Sequence, residues 1–300
     1  MSATDYLFEL SESQKRQYID AETVFVALAQ AKKAAAEVRG SMFWRELKGT
    51  RTLIRSSATG AQKSLGAYSE ATQKLFDSFM LRKTSVELRV KTLKAQLATQ
   101  QRLNRAHRAH RVGRVPNIVV SLLNVMAKAG VDAHFLVVGT HALYAYETAA
   151  GVRIAEEAMA TRDVDMPFDT RKRLAFFTLM EKLDSSLIGL LRKADASFEV
   201  VEDQHYTARN NDGFEVDIIR RLAHGRDPHP LLASARRFEQ VVVATSGEMA
   251  LMRTVHPFDF ARIKLALSQQ IGRDANKRGK DALQSAIIDT LVTNYLPTLS

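Results

Sequence analysis

The sequence predicts an α+β chain, a mixed sheet with helices packed on it, flanked by helical N- and C-terminal regions. Three observations carry this. From residue 117 onward, apolar segments follow the order helix, strand, helix, strand, helix and then several short strands. Between Ser69 and His110 there is neither proline nor glycine, and Val86, Val90, Leu93 and Leu97 recur at helical spacing. After Pro257, two amphipathic stretches, Phe258 to Ile271 and Lys277 to Asn294, close the chain.

The elements take shape in chain order. Residues 10 to 39 read as a helix that starts from Ser11 and Gln14, a capping-box pair, and stops near Gly40. Thr50 to Arg55 and Gln62 to Leu65 read as a small hairpin around a Ser/Gly turn, carrying Arg51, Arg55 and Lys63. The long helix from Ser69 to about His110 follows, and Gly113 and Pro116 punctuate its end. Pro116 opens a helix that ends at Gly130, and "HFLVVG" is an apolar strand running into Gly139, Thr140 and a further apolar helix. "TRDVDM" is the next strand, Thr170 to Lys193 the next helix, and Phe198 to Val201, His205 to Arg209 and Phe214 to Ile219 form a meander. The expected domains are a helical N-terminal region with a hairpin (1–115), a core (116–250) and a C-terminal helical region completing the site (251–300).

Composition narrows the class. No apolar run reaches the ~20 residues needed to cross a bilayer, and the N-terminus lacks a signal-like pattern, so the expectation is a cytoplasmic protein without membrane contact. Cysteine is absent, which excludes disulfides and thiolate chemistry. The 43 basic and 33 acidic residues leave a net charge of +10. From Arg82 to Arg114 ten Lys or Arg stand against the single acid Glu87, a basic segment that favours an anionic partner or forms a solvated helix or protein contact. The histidines show no metal-ligand spacing.

Three separated pieces carry chemistry. In "VVGTHAL" a buried strand ends at Gly139, where the missing side chain lets a phosphate approach the backbone, and Thr140 begins a helix whose free amides attract anions. In "TRDVDM", Asp163 and Asp165 would point the same way from a strand and repel each other unless a hard cation such as Mg2+ lies between them, the plain alternative being a helix cap or solvated turn. In "FEVDIIRR", Asp217 is an acid on an apolar strand, costly unless solvated or paired, and useful as the third carboxylate of a two-metal centre.

In these residues the chain resembles the nucleotidyltransferase superfamily, the polymerase beta-like fold, and most closely its uncharacterised bacterial and abortive-infection toxin-like groups. Gly139 and Thr140 match the phosphate-binding turn, Asp163 and Asp165 the metal pair, and Asp217 the third acid. The tail from His256, with Lys264 on the first helix and Lys280-Asp281 at the second, resembles the helical segment of those groups. The gap between Thr140 and Asp163 is longer than the family's usual spacing, and its extra segment is "ETAAGVRIAEEAMA".

The resemblance implies a metal-dependent enzyme that transfers an NMP from an NTP such as ATP to a hydroxyl of a macromolecular acceptor. Two Mg2+ ions would be held by Asp163, Asp165 and Asp217. Lys264 would meet the triphosphate, and Asp281 would orient that lysine or line the base pocket. The basic segment Arg82 to Arg114 suggests an RNA acceptor, tRNA included. The competing readings are an adenylyl- or uridylyltransferase acting on protein, and an inactive nucleic-acid or partner-binding module on the same fold. Arg162, Arg220 and Arg221 are either surface cations or substrate contacts. His141, Tyr144 and Tyr146 read as packing residues.

Overall fold

The computed structural model describes residues 2–47, 49–106, 113–159, 173–178, 186–202, 204–220 and 230–299. Two units divide the chain: Gln17–Leu103, and Met1–Arg16 together with Asn104–Ser300.

The first unit is built on two helices, α1 (Glu12–Glu37) and α2 (Glu70–Ala106), with an antiparallel sheet of β2 (Ser41–Leu47), β3 (Thr50–Ser56) and β4 (Gln62–Ala67) between them in sequence. A short strand, β1 (Leu7–Glu9), precedes α1. The start of α1 is the pair the sequence marks: the Ser11 amide donates to Gln14 Oε1 at 2.9 Å, and the Gln14 amide to Ser11 Oγ at 3.4 Å. Gln17 of α1 donates to Gln100 of α2 at 2.8 Å, so the helices run back along each other. The expected hairpin is β3–β4, and β2 adds a third strand to it by pairing with β3 along its whole length, from Ser41↔Ser56 to Leu47↔Thr50.

The second unit holds a seven-stranded mixed sheet in the order β11-β12-β5-β7-β10-β9-β8. Its strands are β5 (Phe135–Val138), β7 (Arg173–Thr178), β8 (Glu199–Val201), β9 (Gln204–Arg209), β10 (Glu215–Arg220), β11 (Arg237–Val243) and β12 (Met249–Val255). α3 (Asn117–Ala129) packs on β12 and α4 (Leu143–Ala150) on β11, α6 (Ser186–Ala194) packs on α3, and α8 (Pro257–Ser268) packs on α9 (Ala275–Tyr295), which also meets α4. The short α5 (Glu156–Met159) and α7 (Pro230–Ala233) lie between them in sequence. Pro116 stands immediately before α3, whose first turn needs no amide from it, and Gly130 closes that helix in the left-handed conformation at φ 73°. On α3, Val119, Val120, Leu122, Leu123 and Met126 are buried, an apolar stripe that faces β12 and α6 and belongs to the same continuous core as Ile287, Ile288, Leu291 and Val292 of α9. No helix among the described residues is long and apolar enough to cross a membrane.

Two expectations are corrected here. Residues 173–178, read from sequence as part of a helix from Thr170 to Lys193, form β7, and the helix is the shorter α6. The reason is burial of period two: Leu174 and Phe176 are buried while Ala175 between them is not, and β7 pairs with β5 on one side and β10 on the other. The second is the β11–β12 hairpin, which the sequence reading left without elements. It extends the sheet beyond β5 through the parallel Thr254↔Val137 contact. The expected "TRDVDM" strand lies outside the described residues.

Candidate active site

All four residues of β5 are buried, and the strand ends at Gly139 with φ 72°. Among the described residues nothing lies within 4 Å of where a Cβ would stand there, so the glycine is required by its left-handed backbone and not by a close neighbour. Residues 139–142 make one tight turn that runs into α4, and Thr140 on it is half-buried. His141 is buried with its ring near Tyr144 and Phe214, and Tyr146 is buried with its hydroxyl donating to the Val255 carbonyl at 2.6 Å. These residues pack the helix against the sheet.

Strand register brings Asp217 to the same end of the sheet. Val138, the last residue of β5, pairs with Ala175 of β7, and Ala175 pairs with Asp217 of β10. Asp217 therefore stands in line with the Gly139 turn, two strands or about 10 Å across. Its neighbours Val216 and Ile218 are buried, while Asp217 projects from the opposite face and is half-buried. The alternation resolves the cost of an acid on an apolar strand, since the carboxylate does not enter the core. Thr207 Oγ1 donates to Asp217 Oδ1 at 2.7 Å. Asp163, Asp165 and Arg162 lie outside the described residues, on the chain between α5 and β7, and Arg221, just after β10, lies outside them too. Arg220 is the last residue of β10. Among the described residues, no cluster of three or more His, Asp or Glu side chains is placed to hold a metal.

The C-terminal helices carry the remaining candidate residues. Lys264 of α8 and Asp281 of α9, both buried, form an ion pair at 2.7 Å, and the second oxygen of Asp281 accepts from Arg273 Nε at 2.5 Å. Burial pulls the Lys264 ammonium below the ordinary lysine range, the Asp281 charge and hydrogen bond oppose that pull, and Arg273 adds to it. One turn along α9, Gln284 Nε2 donates to the Ala158 carbonyl at 3.0 Å and lies 3.4 Å from Thr140 Oγ1. Lys280 donates to the Met159 carbonyl at 3.1 Å. Residues 280, 281 and 284 lie on one side of α9, so a single helix face meets α8, the Gly139–Ala142 turn and the end of α5. Arg273 and Gln284 escaped the sequence reading. Gln284 is joined to Thr140 across 144 residues, and no local pattern marks it.

A family model described as "Nucleotidyltransferase" matches residues 117–300, from the first residue of α3 through the turn, the three acids and both C-terminal helices. The chain belongs to this nucleotidyltransferase family. No curated protein and no solved structure matches it.

Within this nucleotidyltransferase segment, the described part of the long stretch between Thr140 and Asp163, up to Met159, is folded. α4 ends at Gly151 in the left-handed conformation, and β6 (Val152–Ile154) turns back to pair with β1, with Leu7↔Ile154 and Glu9↔Val152 in register. Glu147, buried at the end of α4, accepts from the Ile154 amide at 2.6 Å and pairs with Arg114 at 2.6 Å. Burial pushes the Glu147 carboxyl up to about 7, with Arg114 and the Ile154 amide pulling the other way. Arg114 also donates to the Ile154 carbonyl at 2.9 Å. The chain is thus tied at Glu147, Ile154, Ala158 and Met159 before it leaves toward Asp163.

Proposed function

We propose that this chain transfers an NMP from an NTP to a hydroxyl of a macromolecular acceptor, with nucleic acid as that acceptor. The observation supporting the reading is the row Val138–Ala175–Asp217, which lines up a half-buried carboxylate with the Gly139–Thr140 turn. The turn takes the triphosphate through its backbone amides and the Thr140 hydroxyl. Two cations, Lys264 and Arg273, share the single carboxylate of Asp281, and this surplus positive charge one helical turn from Gln284 favours a polyanion next to Thr140.

Asp217 offers hard oxygen donors on a half-buried strand, a donor set suited to Mg2+, and Asp163 and Asp165 would complete it, holding two ions. Bound there, the metal would offset triphosphate charge and acidify the acceptor hydroxyl. The acceptor oxygen forms its bond to the α-phosphorus, the bond to the β-phosphate oxygen breaks, and pyrophosphate leaves. Thr207 holds the Asp217 carboxylate in orientation, and Lys264 and Arg273 meet charge that builds on the departing pyrophosphate. Along α2, Arg82, Arg89, Lys91, Lys94, Arg102 and Arg105 are exposed and available to a phosphate backbone.

The test is incubation with each α-labelled NTP in turn, with Mg2+ or with chelator, against total RNA and against total cell protein. Label is expected in RNA, only with the metal, and lost in Asp217→Asn at unchanged Tm, because the amide oxygen still accepts from Thr207. Label in protein identifies a protein acceptor instead. Label in neither, or full transfer by folded Asp217→Asn, overturns the reading.

A further inference from the structure

We infer that the sheet β2–β4 of the first unit is a base-stacking platform for single-stranded nucleic acid, formed by Trp44, Arg51 and Tyr68. The rings of Trp44 and Tyr68 lie 5.3 Å apart, and the Arg51 guanidinium sits over both, 4.9 Å from the Trp44 centroid and 5.6 Å from that of Tyr68. The inner edge of the group is anchored, since Trp44 also meets Phe76 of α2 at 5.9 Å. The outer edge is open: Tyr68 is 56% exposed, Arg51 is exposed and Trp44 is half-buried. A backbone bond from the Tyr68 amide to the Arg51 carbonyl at 2.7 Å fixes the two side by side.

Flat rings and a guanidinium presented together to solvent stack on any nucleobase, and they do so without reading its sequence. Arg51 forms no ion pair among the described residues, so its charge is available to phosphate. The setting matches the ligand. The three strands carry Arg45, Arg51, Arg55 and Lys63 against one acid, Glu46. The whole unit Gln17–Leu103 holds fifteen basic and seven acidic residues, whereas the rest of the chain holds 28 and 26. The surplus charge of the protein thus resides in the unit that carries the platform. Arg55 is excluded from this role because its guanidinium is spent on the carbonyls of Arg39, Ser41 and Ser56. The inference deepens the proposed transfer by naming a single strand as the acceptor class, and it rests on that reading only for what happens to the strand once bound.

Trp44 is the only tryptophan in the chain, so its fluorescence reports the platform directly. The full-length protein, without NTP or metal, is titrated with oligo(U), oligo(dT) and heparin. Both oligonucleotides are expected to quench Trp44, oligo(U) more tightly if the 2′-hydroxyl is read, with affinity falling steeply as salt rises. Heparin, a polyanion without bases, is expected to compete for binding without quenching. Tyr68→Ala and Arg51→Gln should each weaken oligo(U) binding about tenfold to a hundredfold by anisotropy of the labelled strand. Tyr68→Phe, which keeps the ring and the packing, should bind as wild type, so a poorly folded alanine variant does not leave the question open. Arg45→Gln removes the same charge from the opposite face of β2, next to Trp44 in sequence, and should cost only a few-fold. Equal quenching by heparin, or equal losses in Arg45→Gln and Arg51→Gln, or unchanged binding by folded Tyr68→Ala, overturns the platform. Transfer is not measured here, so failure of the proposed chemistry leaves these readouts intact.

Discussion

Asp281→Ala is the sharpest probe of the buried ion pair between the C-terminal helices. Asp281 is 2% exposed and is the carboxylate that neutralises Lys264, itself 8% exposed. Deleting it leaves a buried ammonium without its counter-charge, which costs about 3 to 5 kcal/mol in comparable buried pairs. For a unit of roughly two hundred residues, each kcal/mol lowers Tm by about 2 to 4 °C, so a drop of about 6 to 20 °C is expected near neutral pH. The sign of the pH dependence follows from Lys264. Its folded pKa is already depressed below the usual 10.5 by burial, and removing Asp281 depresses it further. A lysine of this kind weighs against folding while it is charged, and stability is regained as pH rises from the folded pKa toward 10.5. The deficit of Asp281→Ala should therefore shrink between pH 7 and pH 10, measured by thermal unfolding followed by circular dichroism. Replacing the pair with Lys264→Met and Asp281→Leu should recover most of the loss, since Arg273 is partly exposed and can turn to water. A deficit below about 2 °C at pH 7, or one that grows with pH, or a double variant no better than Asp281→Ala, would refute the reasoning.

Glu147→Gln tests the buried tie between α4 and β6. The folded pKa of Glu147 lies near 7, above its ordinary 4.5, so its contribution to stability is present below pH 4.5 and declines as pH rises through 7. The deficit of the variant against wild type in urea unfolding should be largest near pH 5 and smallest near pH 8; the reverse trend would mean that Arg114 outweighs burial. Gln284→Leu leaves the Ala158 carbonyl without its donor inside the fold, at about 1 to 3 kcal/mol, and frees Thr140 from α9. Tm should fall by several degrees and KM for the NTP should rise more than kcat falls; an unchanged KM would separate Gln284 from the phosphate turn.

Local chemistry made much of the fold legible. The Ser11 and Gln14 pair, the absence of proline and glycine along α2, Pro116 and Gly130 around α3, and Pro257 as the first residue of α8 are each a backbone requirement met by neighbouring residues, so they can be read in a line of text. The turn at Gly139 and the acid at Asp217 were legible for the same reason, as departures from the apolar runs that carry them. The stretch "RLAFFT" was misread because a short apolar run satisfies either period, and only pairing with β5 and β10 on both sides decides for a strand. The β11–β12 hairpin depends likewise on a sheet edge supplied by β5. Register between three strands, set by packing of the whole sheet, is what aligns Asp217 with Val138, and no spacing in the sequence contains it. Lys264 and Asp281 are 17 residues apart and Thr140 and Gln284 are 144 apart. The sequence by itself determined which residues are candidates for the chemistry, because charge, hydroxyls and missing side chains are local properties. Only the tertiary structure decided which of them meet, because a contact between distant segments exists only once the core has been buried.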